Sequence, residues 1–536
     1  DSRRFAPSPS HRSVHLMTSW ASGYVSDIEY LPGMYVEQAP GHLILACLIN
    51  GIEPPLLGDT FDYCELGCGQ GVTANVVAAS NPAARVVAVD FNPAHIARAG
   101  GVARAAGLDN VEFLELSFEE MLDPEKADLP AFDMVTLHGV WSWVSAEHRA
   151  AITTFLARRV KPGGIVSLSY NAMPGWTAIL PLQRLMLEHA ALSHERSDVQ
   201  VLRALDFAET LQKAGSGVLG SPTLFEQLRA GSAKHAGDEK AVYLAHEYLN
   251  ANWQPLYHMD TARLLGEAKL TYVGSATLTE NFPDLVFNPA QRDILATVPA
   301  GPLRESVKDY LVNRPFRRDI FVRGARRMPD ALRDARLRDF GLALSVPLSD
   351  TKTALDVPAG KAQLEARFYR PVFEALAERP HTLGELVDLP ELRGQAGSPS
   401  LVELAGILIG TAQALPVPFG LSAGARTASL ELNRAAVREV AEKRAKTAVV
   451  AAPLTGSGLT LTTMEALVYD GLARGVPAEL PALLAHVEAC MAADAVPLMR
   501  DGKRMENAEE ARAAVTEGVQ WCFENRLPMW RQMGAI

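Results

Sequence analysis

Glu65, Gly67, Gly69, Gly71 and Asp90 are the residues whose types and spacing imply chemistry. They lie in 61-FDYCELGCGQGVTANVVAASNP-82 and the apolar run that follows it. Glycines at alternate positions after an apolar run mark a backbone that turns sharply or lets a ligand come close. A dinucleotide fingerprint would read G-x-G-x-x-G/A, yet Val72 stands where a small residue should let strand and helix pack. Glu65 sets the sign of the ligand. A carboxylate ending a first strand repels a pyrophosphate and welcomes an ammonium or a sulfonium.

Asp90 ends the next apolar run, nineteen residues past Gly71. There it is placed to accept from both hydroxyls of a ribose. S-adenosylmethionine carries an ammonium, a sulfonium and a ribose, and no phosphate. A bland reading exists for each part, since a glycine turn can serve packing and an acid can cap a helix. The set in order, E-x-G-x-G-x-G and then V-V-A-V-D, favours the cofactor.

The elements that must position these residues follow from periodicity. Short apolar runs at 60–65, 85–90, 111–116, 132–138 and 164–170 alternate with helical stretches near 71–80, 93–106 and 145–159. Such alternation predicts right-handed βαβ units in a parallel sheet, with the ligand beyond the carboxyl ends of the strands. Ser145 is the expected N-cap of the third helix, and 161-KPGG-164 is expected to stop it. After Tyr170 the rhythm breaks, and residues 177–260 read as a helical insertion that could cap the site. Then 261-TARLLGEAK-269, 270-LTYVGSATL-278 and 318-RDIFVRG-324 read as the final helix and two closing strands of the same sheet. The sheet core is thus expected over 60–176 and 261–325. Residues 17–59 would form an N-terminal segment over the site.

Past about residue 340 the alternation is gone. Capping boxes at Thr382 with Glu385, Ser400 with Glu403, and Thr462 with Glu465 announce helices. A mostly helical C-terminal domain over 340–536 is expected. It would be winged-helix-like if 425-ARTASLEL-432 is a strand.

Bulk properties narrow the class. At 536 residues the chain exceeds a single core, and its 48% apolar and 21% charged composition is that of a globular protein. The net charge of −11 argues against a dedicated nucleic-acid binder. One segment, 303–339, runs the other way, with eleven Arg or Lys against six Asp or Glu. It reads as a solvated face or as a dock for an acidic partner. The longest apolar run, 43-LILACLI-49, is too short to span a membrane. Residues 1–16 read as a tail or disordered extension ahead of Met17, without the apolar centre of a signal peptide. Five cysteines form no disulfide framework. Cys64 and Cys68 have no nearby His or further Cys, so no metal site is expected. The cytoplasm is the expected compartment.

Residues 61–171 resemble the class I S-adenosylmethionine-dependent methyltransferases. The resemblance rests on 65-ELGCGQG-71, 86-VVAVDFNP-93, 115-ELSFEE-120, 132-FDMVTLHGVWSWVS-145 and 161-KPGGIVSLSYN-171. More narrowly, 138-HGVWSWVS-145, 169-SYNAMPGW-176 and 271-TYVGSATL-278 resemble bacterial methyltransferases carrying a methyltransferase regulatory domain. Those include protein-lysine methyltransferases that modify outer-membrane proteins, and the likeness spans most of residues 20–325. It implies a Rossmann-like sheet of seven strands, mostly parallel, and S-adenosylmethionine as cofactor. It further implies that Glu65 and Gly67 face the methionine amino group, that Gly69 and Gly71 allow the cofactor close to the backbone, and that Cys68 lies against it in the same turn. Asp90 would hold the ribose, with Phe91 and Asn92 beside the adenine. Ser117 stands where many relatives have an aspartate, and Phe118 would stack on the base or donate its backbone N–H. His138 and Gly139 would close the pocket.

A lysine acceptor must be neutral to attack, which costs about 4.6 kcal/mol near pH 7 from a reference pKa of ~10.4. An apolar, aromatic channel beside a sulfonium lowers that cost. The candidates for its walls are Trp141 and Trp143 after the fourth strand, and Tyr170, Asn171 and Trp176 after the fifth. Tyr24, Tyr30 and Tyr35 in the N-terminal segment join them. Each aromatic equally suits a core position. Tyr170 and Asn171 stand out as a polar pair ending a central strand, and His138 is the nearest general base. Three readings stay open: a protein-lysine methyltransferase, a small-molecule N- or O-methyltransferase, and a non-catalytic cofactor-binding protein. Composition and spacing specify neither the acceptor nor the oligomeric state.

Overall fold

The strand-forming runs assemble into one sheet. Its members are β1 (Phe61–Leu66), β2 (Ala84–Asp90), β3 (Val111–Glu115), β4 (Phe132–Leu137), β5 (Val160–Asn171), β6 (Leu270–Ser275) and β7 (Phe316–Arg323). The order is β3-β2-β1-β4-β5-β7-β6. Strands β1 to β5 pair in parallel, and β7 runs antiparallel to both β5 and β6. The sequence therefore anticipated both the fold class and all seven strands. The structure is a computed structural model that describes residues 23–28, 33–57, 60–219, 222–230, 238–418, 423–442, 444–492, 499–500, 503–504 and 507–536. The tail 1–16, Met17 and Tyr30 lie outside the described residues.

Helices α1 (Pro40–Ile49), α2 (Val72–Ser80), α3 (Pro93–Ala105) and α4 (Ala146–Arg159) pack on the sheet. Ser145 caps α4, its Oγ accepting from the His148 N–H at 3.3 Å. The stretch 161–164 does not stop α4. The helix ends at Arg159, and Lys161 to Gly164 already lie within β5.

Period-2 alternation divides the strands between two cores. Tyr63, Ala88, Met134, Ile165 and Ile320 face one layer, with Leu43, Ala46 and Ile49 of α1. Leu66, Val89, Val135, Leu168, Tyr170 and Phe321 face the other, with Ile152 and Phe155 of α4.

A second compact unit comprises Ala178–Trp253 and the N-terminal residues 23–28. Helices α5 (Leu180–Ala190), α6 (Ser197–Lys213), α7 (Pro222–Ala230) and α8 (Asp238–Tyr248) enclose Leu182, Met186, Val201, Leu205, Phe225 and Leu244, together with Val25 and Ile28. Tyr24 belongs to this unit, its ring 5.7 Å from that of His246. Back in the first unit, α9 (His258–Gly266) leads into β6. Helices α10 (Pro283–Val286), α11 (Pro289–Thr297) and α12 (Pro302–Val312) precede β7.

Beyond β7, the order over 366–417 is helix Ala366–Glu378, strand His381–Thr382, helices Leu383–Val387 and Leu401–Gly410, and strand Ala414–Val417. Gly341–Leu344 pairs with both strands. The helix, strand, two helices and strand follow part of a winged-helix order, but the third strand precedes the first helix. Residues 425–432 form no strand, because they lie inside helix Ala423–Ala441. Nor does the module present a groove-reading helix. Leu404 to Ile409 of Leu401–Gly410 are buried, and a Cβ at Gly406 would fall 2.3 Å from the Phe282 ring. The capping boxes at Thr382 and Thr462 are complete. At Ser400 only half forms. Its hydroxyl accepts from the Glu403 N–H, while the Glu403 carboxylate accepts from Tyr369 at 3.4 Å.

Two of the eleven basic residues of 303–339 are drawn inside, whereas Arg326, Arg327 and Arg338 are exposed. Arg317 and Arg314 are 4% and 8% exposed. Arg317 pairs with Asp309 at 2.6 Å and Asp319 at 2.9 Å, and Arg314 pairs with Asp309 at 2.9 Å and with Glu280. These two arginines hold strands and helices together.

Candidate cofactor and acceptor site

The chain crosses from one side of β1 to the other between β3 and β4, so the crevice above β1 and β4 is the topological switch point of the sheet. Residues ending β1, β2, β4 and β5 meet there. Glu65 stands opposite Thr136, which stands opposite Ser167, on the face that α1 covers.

Glu65 is 5% exposed. Burial pushes its carboxyl up to about 8, against a weak opposing contact from Gln38, whose Nε2 lies 3.5 Å from Oε1. Its other oxygen, Oε2, and the Oε1 of Gln38 are buried acceptors without a hydrogen-bond partner. Two such acceptors side by side suit an ammonium donor. Asp90 is bound into the turn it serves. Its Oδ2 accepts from the Gly69 N–H at 2.9 Å and its Oδ1 from the Asn92 N–H at 2.9 Å, with His95 Nδ1 at 3.3 Å. Oδ2, with one donor, keeps a lone pair for a ribose hydroxyl.

The three glycines differ in purpose. All have positive φ. A Cβ at Gly67 would fall 2.4 Å from Val140 Cγ2, and one at Gly71 would fall 2.5 Å from Ala99 Cβ and 2.6 Å from Phe113 Cε1. These two serve packing, so the expectation that Gly71 admits a ligand is corrected: it lets α2 close on α3 and β3. At Gly69 and Gly139 an added Cβ would meet nothing within 4 Å. Those two leave open space in which a ligand would reach the backbone.

Other expected cofactor contacts are partly engaged by the chain. The Asn92 side chain caps α3 by accepting from Ala94 N–H at 2.9 Å, and Phe91 is half-buried beside it. Ser117 Oγ accepts from the Glu120 N–H at 3.2 Å, and Phe118 packs on the second core, edge-on to His148. Cys68 is buried, which pushes its thiol well above the ordinary range.

At the acceptor end, Tyr35 stacks on His138 with ring centroids 3.4 Å apart, and Phe316 lies 6.1 Å from the same imidazole. Ser169 Oγ lies 3.2 Å from His138 Nδ1 and accepts from the Gly139 N–H at 3.0 Å. Asn171, opposite Phe316 in the β5–β7 ladder, is 4% exposed, and its Nδ2 has no hydrogen-bond partner. Its backbone N–H donates to Ser142 Oγ at 2.8 Å.

Tyr170 does not join them. Strand alternation turns it to the opposite face, where its hydroxyl donates to Asp319 at 2.7 Å beside His258 Nδ1 at 3.3 Å. Although burial opposes ionisation, Arg317 and His258 hold the Asp319 carboxyl well below its usual range. Trp141 is likewise core, 1% exposed, with its indole N–H 3.4 Å from Thr261. Trp143 is half-buried, and the Trp176 indole donates to the Pro315 carbonyl at 2.6 Å. Sequence reasoning missed Gln38, Ser142, Ser169 and Phe316. Phe316 was hidden inside 314-RPFRRD-319, which reads as a charge run.

The family comparisons agree with this geometry. Residues 58–210 match a family model described as a methyltransferase domain, and 240–323 match one described as a predicted methyltransferase regulatory domain. The second runs through α9, β6, α10 to α12 and β7, so most of it lies beyond the insertion, in the closing helices and strands of the core. A protein of Synechocystis is 33% identical over 517 residues, covering 96% of this chain and 99% of the relative. PKMT2 from Rickettsia typhi, solved in complex with AdoHcy, shares the fold with a TM-score of 0.65 at 18% identity, over 94% of this chain and 99% of that one. The chain belongs to the class I S-adenosylmethionine-dependent methyltransferases that carry a methyltransferase regulatory domain.

S-adenosylmethionine is the methyl donor of that class, and the residues present fit it. The buried acceptors of Glu65 and Gln38 would hold its ammonium, the open space at Gly69 and Gly139 would admit it close to the backbone, and the Asp90 carboxylate would accept from its ribose. Among the described residues no helix is long and apolar enough to cross a membrane.

Proposed function

We propose that this methyltransferase transfers methyl groups to lysine side chains of a protein substrate in the cytoplasm. The observation that carries the reading is the Tyr35–His138 stack with Phe316 and the buried, unpartnered Nδ2 of Asn171, all on one face at the carboxyl ends of β4, β5 and the start of β7. When bound, S-adenosylmethionine supplies an electrophilic methyl group for in-line displacement. The chain's part is to orient a nucleophile and exclude water, worth several kcal/mol. Aromatic faces hold the cationic methylated product by cation–π attraction. The Arg318 guanidinium, 5.0 Å above the Phe316 ring, disfavours a charged amine nearby. Its partner Glu37 lies 3.4 Å away. His138 is the group best placed to receive the proton. The fold shared with PKMT2 supports the same reading, and the module over 341–417 is then a packing element of the enzyme.

The test uses the purified protein, tritiated S-adenosylmethionine and lysate of the source organism, with Asp90→Ala as control. Label on a protein that hydrolyses to methyl-lysine supports the proposal. Asp90-dependent label confined to small molecules refutes it in favour of a metabolite methyltransferase. Binding of the cofactor without Asp90-dependent label in either fraction refutes it in favour of a non-catalytic role.

A further inference from the structure

The C-terminal domain gathers a cluster that methyl transfer does not use. Asp470 lies on helix Thr463–Ala473, and His486 and Cys490 lie on helix Leu480–Ala492. His486 and Cys490 are four residues apart and so share a helix face. Gly471 lets the two helices close, since a Cβ there would fall 2.9 Å from His486 Cδ2. His486 Nε2 lies 3.1 Å from Asp470 Oδ2 and 3.6 Å from Cys490 Sγ. The three candidate ligand atoms all lie within 4.8 Å of one another. The same ring nitrogen faces both neighbours. A nucleophile–base–acid relay would need one imidazole nitrogen for each, so the cluster is not built for that chemistry. It converges on a point.

Zinc bonds of ~2.0 Å to nitrogen, ~2.0 Å to oxygen and ~2.3 Å to sulfur in a tetrahedron set nitrogen about 3.3 Å from oxygen and about 3.5 Å from sulfur. The two separations from His486 Nε2 agree to within a few tenths of an ångström, and the oxygen and sulfur lie within 4.8 Å of each other. We propose that Asp470, His486 and Cys490 form a zinc(II) site that clamps the two helices. On binding, the Cys490 thiol releases its proton to solvent and coordinates as thiolate. With the Asp470 carboxylate and a neutral imidazole, the occupied site carries no net charge. The ion displaces Arg474, whose Nε donates to Asp470 Oδ2 at 2.7 Å. The Arg474 side chain is 48% exposed, so its guanidinium can turn into solvent. Three described residues supply ligands, and water takes the fourth position. The site borders the core built on Val468, Leu483, Val487 and Trp530, which it would pin in place.

The test takes the full chain, stripped with a chelator, and titrates zinc(II) against a chromogenic competitor, then cobalt(II) as a spectroscopic probe. One zinc per chain, visible bands of four-coordinate cobalt and a near-ultraviolet thiolate-to-cobalt band are expected. Cys490→Ser should abolish the thiolate band and weaken zinc at least ~10-fold. Zinc should raise the thermal midpoint of the unaltered protein and leave that of the variant unchanged. If Cys490→Ser does not fold, judged by circular dichroism of the metal-free protein, His486→Gln carries the same comparison. Failure to bind zinc stoichiometrically, or zinc affinity equal in the unaltered protein and a folded variant, overturns the site.

Discussion

Glu65 is predicted to cost the free enzyme stability in exchange for cofactor binding, and Glu65→Gln separates the two. The carboxyl is pushed from its ordinary 4.5 up to about 8 by burial. A tenfold change in proton affinity is worth ~1.4 kcal/mol, so the cost reaches about 3 kcal/mol at pH 7 and up to about 5 kcal/mol above pH 8. The folded value lies above the unfolded one. The cost is therefore absent below about pH 4.5, grows as pH rises, and levels off past the folded value. Glutamine keeps the shape, carries no charge, and can donate to the unpartnered Gln38 Oε1. Urea unfolding of the cofactor-free proteins at about pH 5, 7 and 9 should show the variant gaining on the unaltered protein, by ~2–4 kcal/mol at the highest pH. Calorimetric titration with S-adenosylhomocysteine should show about 10- to 100-fold weaker binding, the loss of a charge-assisted hydrogen bond. A variant no more stable than the unaltered protein at about pH 9, or a gain that does not change with pH, would refute the assignment of a strained, buried carboxyl.

The glycines make a paired prediction. Gly71→Ala should lose ~2–4 kcal/mol in thermal or urea unfolding because its Cβ collides with Ala99 and Phe113. Gly69→Ala should lose only ~1 kcal/mol from its positive φ while weakening cofactor binding at least ~10-fold, since its Cβ enters the open space beside it. Equal stability losses in the two would contradict the division of roles. Arg317→Met should lose ~3–5 kcal/mol, because Asp309 and Asp319 are left buried without their shared partner; a loss below ~1 kcal/mol would show the network to be dispensable. Tyr35→Ala should lower kcat/KM for the acceptor ~10- to 100-fold and leave the affinity for S-adenosylhomocysteine within about threefold. A matching drop in cofactor affinity would move Tyr35 from the acceptor side to the cofactor side.

The cofactor end was legible in the sequence because it is local. The run from Glu65 to Gly71 and Asp90 at the end of the next strand occupy short stretches whose order alone defines a strand, a tight turn and a helix start. Alternating apolar runs likewise determined the seven strands and their order class, because hydrophobic period and turn residues act over a few residues. The acceptor end was decided by the tertiary structure. Tyr35, His138, Asn171 and Phe316 come from four separated segments, and only the packing of the N-terminal segment and the β5–β7 ladder brings them to one face. Tyr170 and Asn171 look equivalent as neighbours in a polar pair. The pleat of β5 sends one to the buried ion network and the other to the site. The same holds for charge. Among the eleven basic residues of 303–339, nothing local marks Arg314 and Arg317 as the two that folding pairs with the buried Asp309. Asp470, His486 and Cys490 are ordinary helix residues in sequence, and they converge because Gly471 lets two helices touch. Local order writes short motifs, whereas convergence from distant segments depends on which faces the core has already claimed.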